Sequence, residues 1–222
     1  FKCSFDKANR SSHTSKRSQM SFNSAMDVLK TIKKDFKLSV TTDVHETSQI
    51  SKLVEYIDVI QIPAFLSRQT DLIIAAADTQ KIINVKKGQF LSHSEVINII
   101  KKIESRKNKS IIITERGNTF GYNYLVNDFK GIQLMKKFGY PIIFDSTHSV
   151  QIPGGLGVKS GGAREYVLPL SKAASALRIA GFFIETHPNP NVALSDGPNM
   201  VYLDKMENLI NSINKINKAA KE

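Results

Sequence analysis

Lys2, Lys7, Arg10, Asp43, His45, Gln61, Lys86, Lys87 and Arg116 each stand at or just beyond the end of a short apolar run. Cations gathered on one mouth need anions to offset them, because unpaired like charges in a cleft are costly. Phosphate and carboxylate groups answer that need, with Arg able to bind bidentately and Lys acting as a point charge. Pairing with Asp6, Asp43 or Glu115 inside the protein is the competing expectation for any one of these cations. The later runs end differently, in Asp145, His148, Glu185, His187 and Asp196. Imidazoles and carboxylates from separate strands suit a divalent metal with open positions, or general acid–base work around a bound water. Their spacing is no local metal motif, and a histidine at a strand end, such as His187, can equally be a hydrogen-bonded packing residue.

The elements that position these groups repeat. Seven apolar runs terminate in polar side chains: FKCSFDK, LSVTTDVHE, DVIQIPAF, KIINVKKGQF, SIIITERG, PIIFDSTHSVQ and GFFIETHP. Segments with helical apolar spacing follow them, for example Ala25, Leu29, Ile32 and Phe36, or Ile97, Ile99, Ile100 and Ile103. Strand–helix alternation predicts an α/β protein with a parallel sheet, and catalytic groups then sit at the carboxyl ends of the strands. A closed (β/α)8 barrel takes eight units where seven are visible, so the expectation is a TIM barrel without its first βα unit, forming one catalytic domain over residues 1–222. Strand alternation puts Cys3 on the face opposite Lys2, where a buried, inert thiol under a helix is expected. Gly154, Gly155 and Gly157, with Gly161 and Gly162, read as a loop ahead of a helix near Ala163, a plain connection or a backbone anion nest.

Composition narrows the class. The chain has 222 residues and no linker-like composition shift, internal repeat or low-complexity tract. It has no stretch of about 18 apolar residues, so no membrane span is expected. One cysteine excludes an internal disulfide framework and suits a reducing, cytoplasmic setting. The formal charge of +11 is carried largely by helix faces and tails, including Lys30, Lys33, Lys34, Lys37, Lys101, Lys102, Arg106, Lys107, Lys109, Lys215, Lys218 and Lys221. No zinc-finger spacing or aromatic–basic pattern accompanies them, so small anions are expected as partners and nucleic acid is not.

The strings FKCSFDKANRSS, TDVHE, QIPAFLSRQTDL, NVKKGQFLS, TERGNTFGYNYLVNDF, IFDSTHSVQIPGG and ETHPNPNVALSDGPNM resemble the 3-deoxy-D-manno-octulosonate 8-phosphate synthase family from residue 1 to about 204. The resemblance implies a transferase that condenses phosphoenolpyruvate with arabinose 5-phosphate and water, for lipopolysaccharide biosynthesis. It implies a phosphoenolpyruvate site of Lys2, Lys7, Gln61, Ala64, Lys86 and Arg116, and an arabinose 5-phosphate site of Asn9, Arg10 and Ser11 with Asp43 and His45 near the sugar. Arg68 would reach a neighbouring subunit of a homotetramer. Lys7, Asp43, His45, His148 and Asp196 are the implied catalytic residues. His148, Glu185 and Asp196 match three of the four ligands of a metal-dependent branch, so the cofactor is either none or one divalent metal. The fourth ligand lies on a first strand that is not visible here, and Cys3 does not match it. Ser195 before Asp196 leans toward the metal branch. Ser15 to Met20 replaces the family's Arg-Gly-Pro-Gly and predicts a different turn. The alternatives are the related synthase that uses erythrose 4-phosphate and a non-catalytic fragment that binds polyanions.

Overall fold

The computed structural model describes residues 1–6, 8, 13, 17–18, 20–121, 124–153, 161–193 and 195–221. Six apolar runs form the sheet as β1 (Thr41–Asp43), β2 (Val59–Ile62), β3 (Ile82–Lys86), β4 (Ile111–Glu115), β5 (Ile142–Asp145) and β6 (Gly181–Phe183). Hydrogen-bonded neighbours follow chain order from β1 to β6, and β1–β2, β2–β3 and β5–β6 pair in parallel. A doubly wound sheet reverses its order at a switch point. Uninterrupted chain order with helical crossovers instead defines the (β/α)8 class of fold.

The helices are α1 (Phe22–Phe36), α2 (Thr47–Leu53), α3 (Thr70–Asp78), α4 (Val96–Glu104), α5 (Phe129–Lys136), α6 (Val167–Ala176) and α7 (Met206–Ala219). Two compact units are distinguished by their internal packing, Phe1–Gly88 with Glu95–Ile113 and Gln89–Ser94 with Thr114–Glu222. In the first, strand side chains Ile60, Ile62, Ile83 and Val85 are fully buried, as are Ile73, Ala76 and Ala77 of α3 and Ile103 of α4. β-Branched strands covered by such helix faces are what a parallel sheet buried on both sides needs. In the second, Phe144 of β5 packs between Phe129 at 6.0 Å and Phe182 at 6.5 Å between ring centroids. A neighbouring cluster joins Val150, Val167, Val201, Leu209 and Ile213.

The α1 stripe is narrower than its spacing predicts: Ala25 and Leu29 are buried and Phe36, at the helix end, is exposed. Ser21 caps α1, its hydroxyl accepting the Ser24 N–H at 3.2 Å. Ser21→Ala is expected to lower stability by about 1 kcal/mol, read from the urea unfolding midpoint. The first apolar run forms only a parallel bridge from Lys2 to Thr41. Cys3 is exposed, correcting the expected burial. Alternation does turn it away from Asp43, but no described helix covers that face of so short a stretch. The helix expected near Ala163 starts at Val167 after a single tight turn, Arg164–Tyr166. Gly161–Gly162 is not loop but pairs antiparallel with Gln151–Ile152. No helix of the described residues is long and apolar enough to cross a membrane.

Candidate active site

In the first unit, parallel register sets Asp43 of β1 beside Gln61 of β2, and Gln61 beside Asn84 of β3. Lys86 lies two residues beyond Asn84 and therefore on the same face. All four are buried, with Lys86 5% exposed. Asp43 is the centre of a network: Lys2 Nζ lies 3.2 Å from Oδ1, Ser4 Oγ donates to Oδ1 at 2.5 Å, and His45 Nε2 lies 3.2 Å from Oδ2. Lys2 Nζ also donates to Ser4 Oγ. His45 Nδ1 lies 3.5 Å from Asp6 Oδ2, and Arg17 grips Asp6 with two bonds of 2.7 and 2.9 Å. Gln49 donates to Asp6 at 2.8 Å and accepts the His45 backbone N–H at 2.7 Å, so the imidazole lies between Asp43 and Asp6 while its backbone is fixed by Gln49.

Burial pushes the Asp43 carboxyl upward, but the Lys2 charge and the hydrogen bonds from His45 and Ser4 outweigh it and hold it well below the usual carboxylate range. Asp6 is also lowered, burial being overcome by its bonds from Arg17 and Gln49 and by the nearby His45. A depressed folded-state value means that the unfolded chain binds more protons as the pH falls, so this stability is full above about pH 5 and lost as acid approaches the folded values. Each pH unit of depression contributes about 1.4 kcal/mol. Urea midpoints should therefore fall steeply below about pH 4, and Asp43→Asn should flatten that slope.

Gln61 is buried and its Oε1 has no hydrogen-bond partner among the described residues. Ala64 opens a tight turn directly after β2 and is buried. Lys87 is 1% exposed and its Nζ donates to the Gly88 carbonyl at 3.3 Å. Arg68 is exposed, its carbonyl accepting from Lys102 at 3.3 Å. Lys7, Asn9, Arg10, Ser11, Ser15, Lys16, Gln19 and the glycines at 154, 155 and 157 lie outside the described residues.

In the second unit, Arg116 follows β4 and is 5% exposed. Its Nη2 donates to the His148 carbonyl at 3.2 Å and to Gln151 Oε1 at 2.8 Å, while Nε has no partner among the described residues. Burial lowers its pKa, resisted by the carboxylates of Asp145, Asp196 and Glu115. A guanidinium starts so high that it stays charged. Asp145, fully buried at the end of β5, accepts from the His148 backbone N–H at 2.9 Å and faces the ring Nδ1 at 3.0 Å. Thr147 Oγ1 accepts the Glu185 N–H at 3.1 Å, which brings the end of β6 to the same ring.

Donor atoms of His148, Glu185 and Asp196 lie within 4.8 Å of one another. The Asp145 carboxylate accepts, so the His148 proton that meets it is on Nδ1, and in that tautomer the Nε2 lone pair faces Glu185 Oε2 at 3.5 Å. That oxygen is buried and has no hydrogen-bond partner among the described residues. Two acceptors face each other there, an arrangement that a divalent cation or a second proton resolves. A carboxylate behind a ligating imidazole is also the usual support of a metal-bound histidine. The residues present therefore fit a divalent metal. Asp196 is held with a backbone φ of 56° in the turn before Gly197, where a Cβ would come within 2.3 Å of the Pro190 carbonyl oxygen. His187 stands outside this cluster, its Nδ1 accepting the Asn189 N–H at 3.0 Å.

Sequence reasoning assigned no role to Asn84, Gln151 or Arg17. Asn84 shows a signal, a lone amide inside the apolar run IINV.

A parallel (β/α)8-class sheet with buried cations and carboxylates at its strand ends marks an enzyme of anionic substrates. The chain matches the model of the DAHP synthetase I family over residues 1–222, and it belongs to that family. It is 51% identical over 221 residues to a protein of Fusobacterium nucleatum named 2-dehydro-3-deoxyphosphooctonate aldolase, covering 100% of this chain and 79% of that protein. A Cyanothece protein of the same name is 53% identical over 207 residues, 93% of this chain and 76% of its own length. A Rhodopseudomonas palustris protein of that name is 50% identical over 223 residues, 100% of this chain and 77% of its own.

Proposed function

We propose that this protein catalyses the condensation of phosphoenolpyruvate with D-arabinose 5-phosphate and water, giving 3-deoxy-D-manno-octulosonate 8-phosphate and inorganic phosphate. One observation carries the reading: relatives about half identical over nearly the whole chain bear the name 2-dehydro-3-deoxyphosphooctonate aldolase.

Phosphoenolpyruvate is bound by Lys2, Lys7, Gln61, Ala64, Lys86 and Arg116, and arabinose 5-phosphate by Asn9, Arg10, Ser11 and, from a neighbouring subunit, Arg68. Buried Lys86 and Arg116 supply positive charge in low dielectric, where it acts most strongly on a phosphate or carboxylate. Asp43 and His45 orient the sugar aldehyde, and Lys7 assists. C3 of phosphoenolpyruvate attacks that aldehyde, water adds at C2, and the C2–O bond to phosphate breaks. His148 and Asp196 position the water or the groups it reacts with. A divalent metal, when bound by His148, Glu185 and Asp196, supplies Lewis acidity there. Residues 1–222 act as one catalytic domain of a cytoplasmic homotetramer serving lipopolysaccharide biosynthesis. The exposed Phe65 and Phe120 support an oligomer, which light scattering tests.

Phosphate release is measured on metal-stripped protein with arabinose 5-phosphate or erythrose 4-phosphate, with and without added divalent metal. Release with the five-carbon phosphate alone is expected. Release only with erythrose 4-phosphate, or with neither sugar, refutes the reading.

A further inference from the structure

We propose that Gln151 is a positioning residue that bridges Arg116 and Asp196, directing the guanidinium to substrate and keeping the carboxylate in the cluster with His148 and Glu185. The inference rests on the functional reading above and deepens it.

The Gln151 amide has an oxygen that accepts from Arg116 Nη2 at 2.8 Å and a nitrogen that donates to Asp196 Oδ1 at 3.0 Å. The amide orientation follows from its neighbours, since a guanidinium only donates and a carboxylate only accepts. A neutral side chain that presents an acceptor to one side and a donor to the other can stand between opposite charges without neutralising either. A carboxylate or an ammonium at 151 would favour one neighbour and repel the other. The Gln151 backbone is fixed independently, its N–H bonded to the His148 carbonyl and its strand register set opposite Gly162. The amide is thus delivered to a defined place between the two charged groups.

Without it, the two opposite charges lose the amide that bridges them. Their attraction in a largely buried setting draws them into a direct ion pair, and each is then withdrawn from its ligand. Asp196 already acts on the guanidinium charge.

Gln151→Met keeps the side-chain volume and removes both hydrogen bonds. Phosphoenolpyruvate binding is measured by equilibrium dialysis on metal-free protein, and Co²⁺ or Cd²⁺ binding by calorimetry on substrate-free protein. Each affinity should fall at least about tenfold, in the range seen for groups that support ligands from behind. Adding Asp196→Asn to Gln151→Met should then recover much of the phosphoenolpyruvate affinity, because the competing carboxylate is neutral. A purely structural role predicts no such recovery. Circular dichroism monitors folding, and Gln151→Leu is the second variant should the first misfold.

Two unchanged affinities in Gln151→Met overturn the inference and leave the functional reading standing. A fall in only one affinity, or no recovery in the double variant, also overturns the bridging role. Wild-type protein that binds phosphoenolpyruvate but neither metal removes the Asp196 half and overturns the inference alone. Wild-type protein that binds neither kind of ligand overturns the functional reading itself.

Discussion

Replacing Arg116 with alanine should lower kcat/KM for phosphoenolpyruvate by roughly 10²–10³-fold, the loss of about 3–4 kcal/mol expected for a preorganised donor acting on charge in a buried site. The residue is 5% exposed, so its charge is poorly screened by water. One guanidinium nitrogen is already occupied by the His148 carbonyl and the Gln151 amide, which aim the group, while Nε has no partner among the described residues. An arriving carboxylate or phosphate oxygen supplies what that nitrogen lacks. Arg116→Lys should recover little, since an ammonium cannot reproduce two contacts and a third donor from one planar group. Removal also leaves Asp145, Asp196 and Glu115 without a cation that all three now feel, so a lower melting temperature should accompany the kinetic loss. Steady-state rates on Arg116→Ala, taken well below its own melting temperature, separate the two effects. A kcat/KM within threefold of wild type would remove Arg116 from the substrate site.

The strands were legible because each is a short β-branched run with its polar residues at one end, and Ile60, Ile62, Ile83 and Val85 are buried accordingly. The ends also named the groups that later meet, His148, Glu185 and Asp196 among them. Partners were not legible, because a strand end says which side chains face a mouth but not which neighbour each one meets. Lys2 is ion-paired to Asp43 across 41 positions' separation in the chain, set by a parallel bridge that no local pattern announces. Gln151 is a polar residue in a polar string, and only its two neighbours, 35 and 45 positions away, give it a role. Cys3 failed for a simpler reason: alternation predicts a face, while burial depends on a helix being there to cover it.

Glu185→Gln should separate stability from metal binding by moving them in opposite directions. Glu185 Oε2 is buried without a hydrogen bond among the described residues, 3.5 Å from a His148 nitrogen on the side of the ring away from Asp145. A buried, unsatisfied carboxylate oxygen is destabilising by about 1–3 kcal/mol. The glutamine amide is neutral and can donate to His148 Nε2, so the metal-free variant should melt a few degrees higher, at about 2–4 °C per kcal/mol for a chain of this length. The same change removes one of three ligand groups and the negative charge that a divalent cation needs. Affinity for Co²⁺ or Cd²⁺ should fall at least about a hundredfold, and with it the stabilisation of about 2.7 kcal/mol that wild type gains at a hundred times its dissociation constant. Scanning calorimetry with and without metal reads both effects in one experiment. A variant that melts lower without metal and still gains as much stability with it would show that Glu185 serves packing and is not a metal ligand.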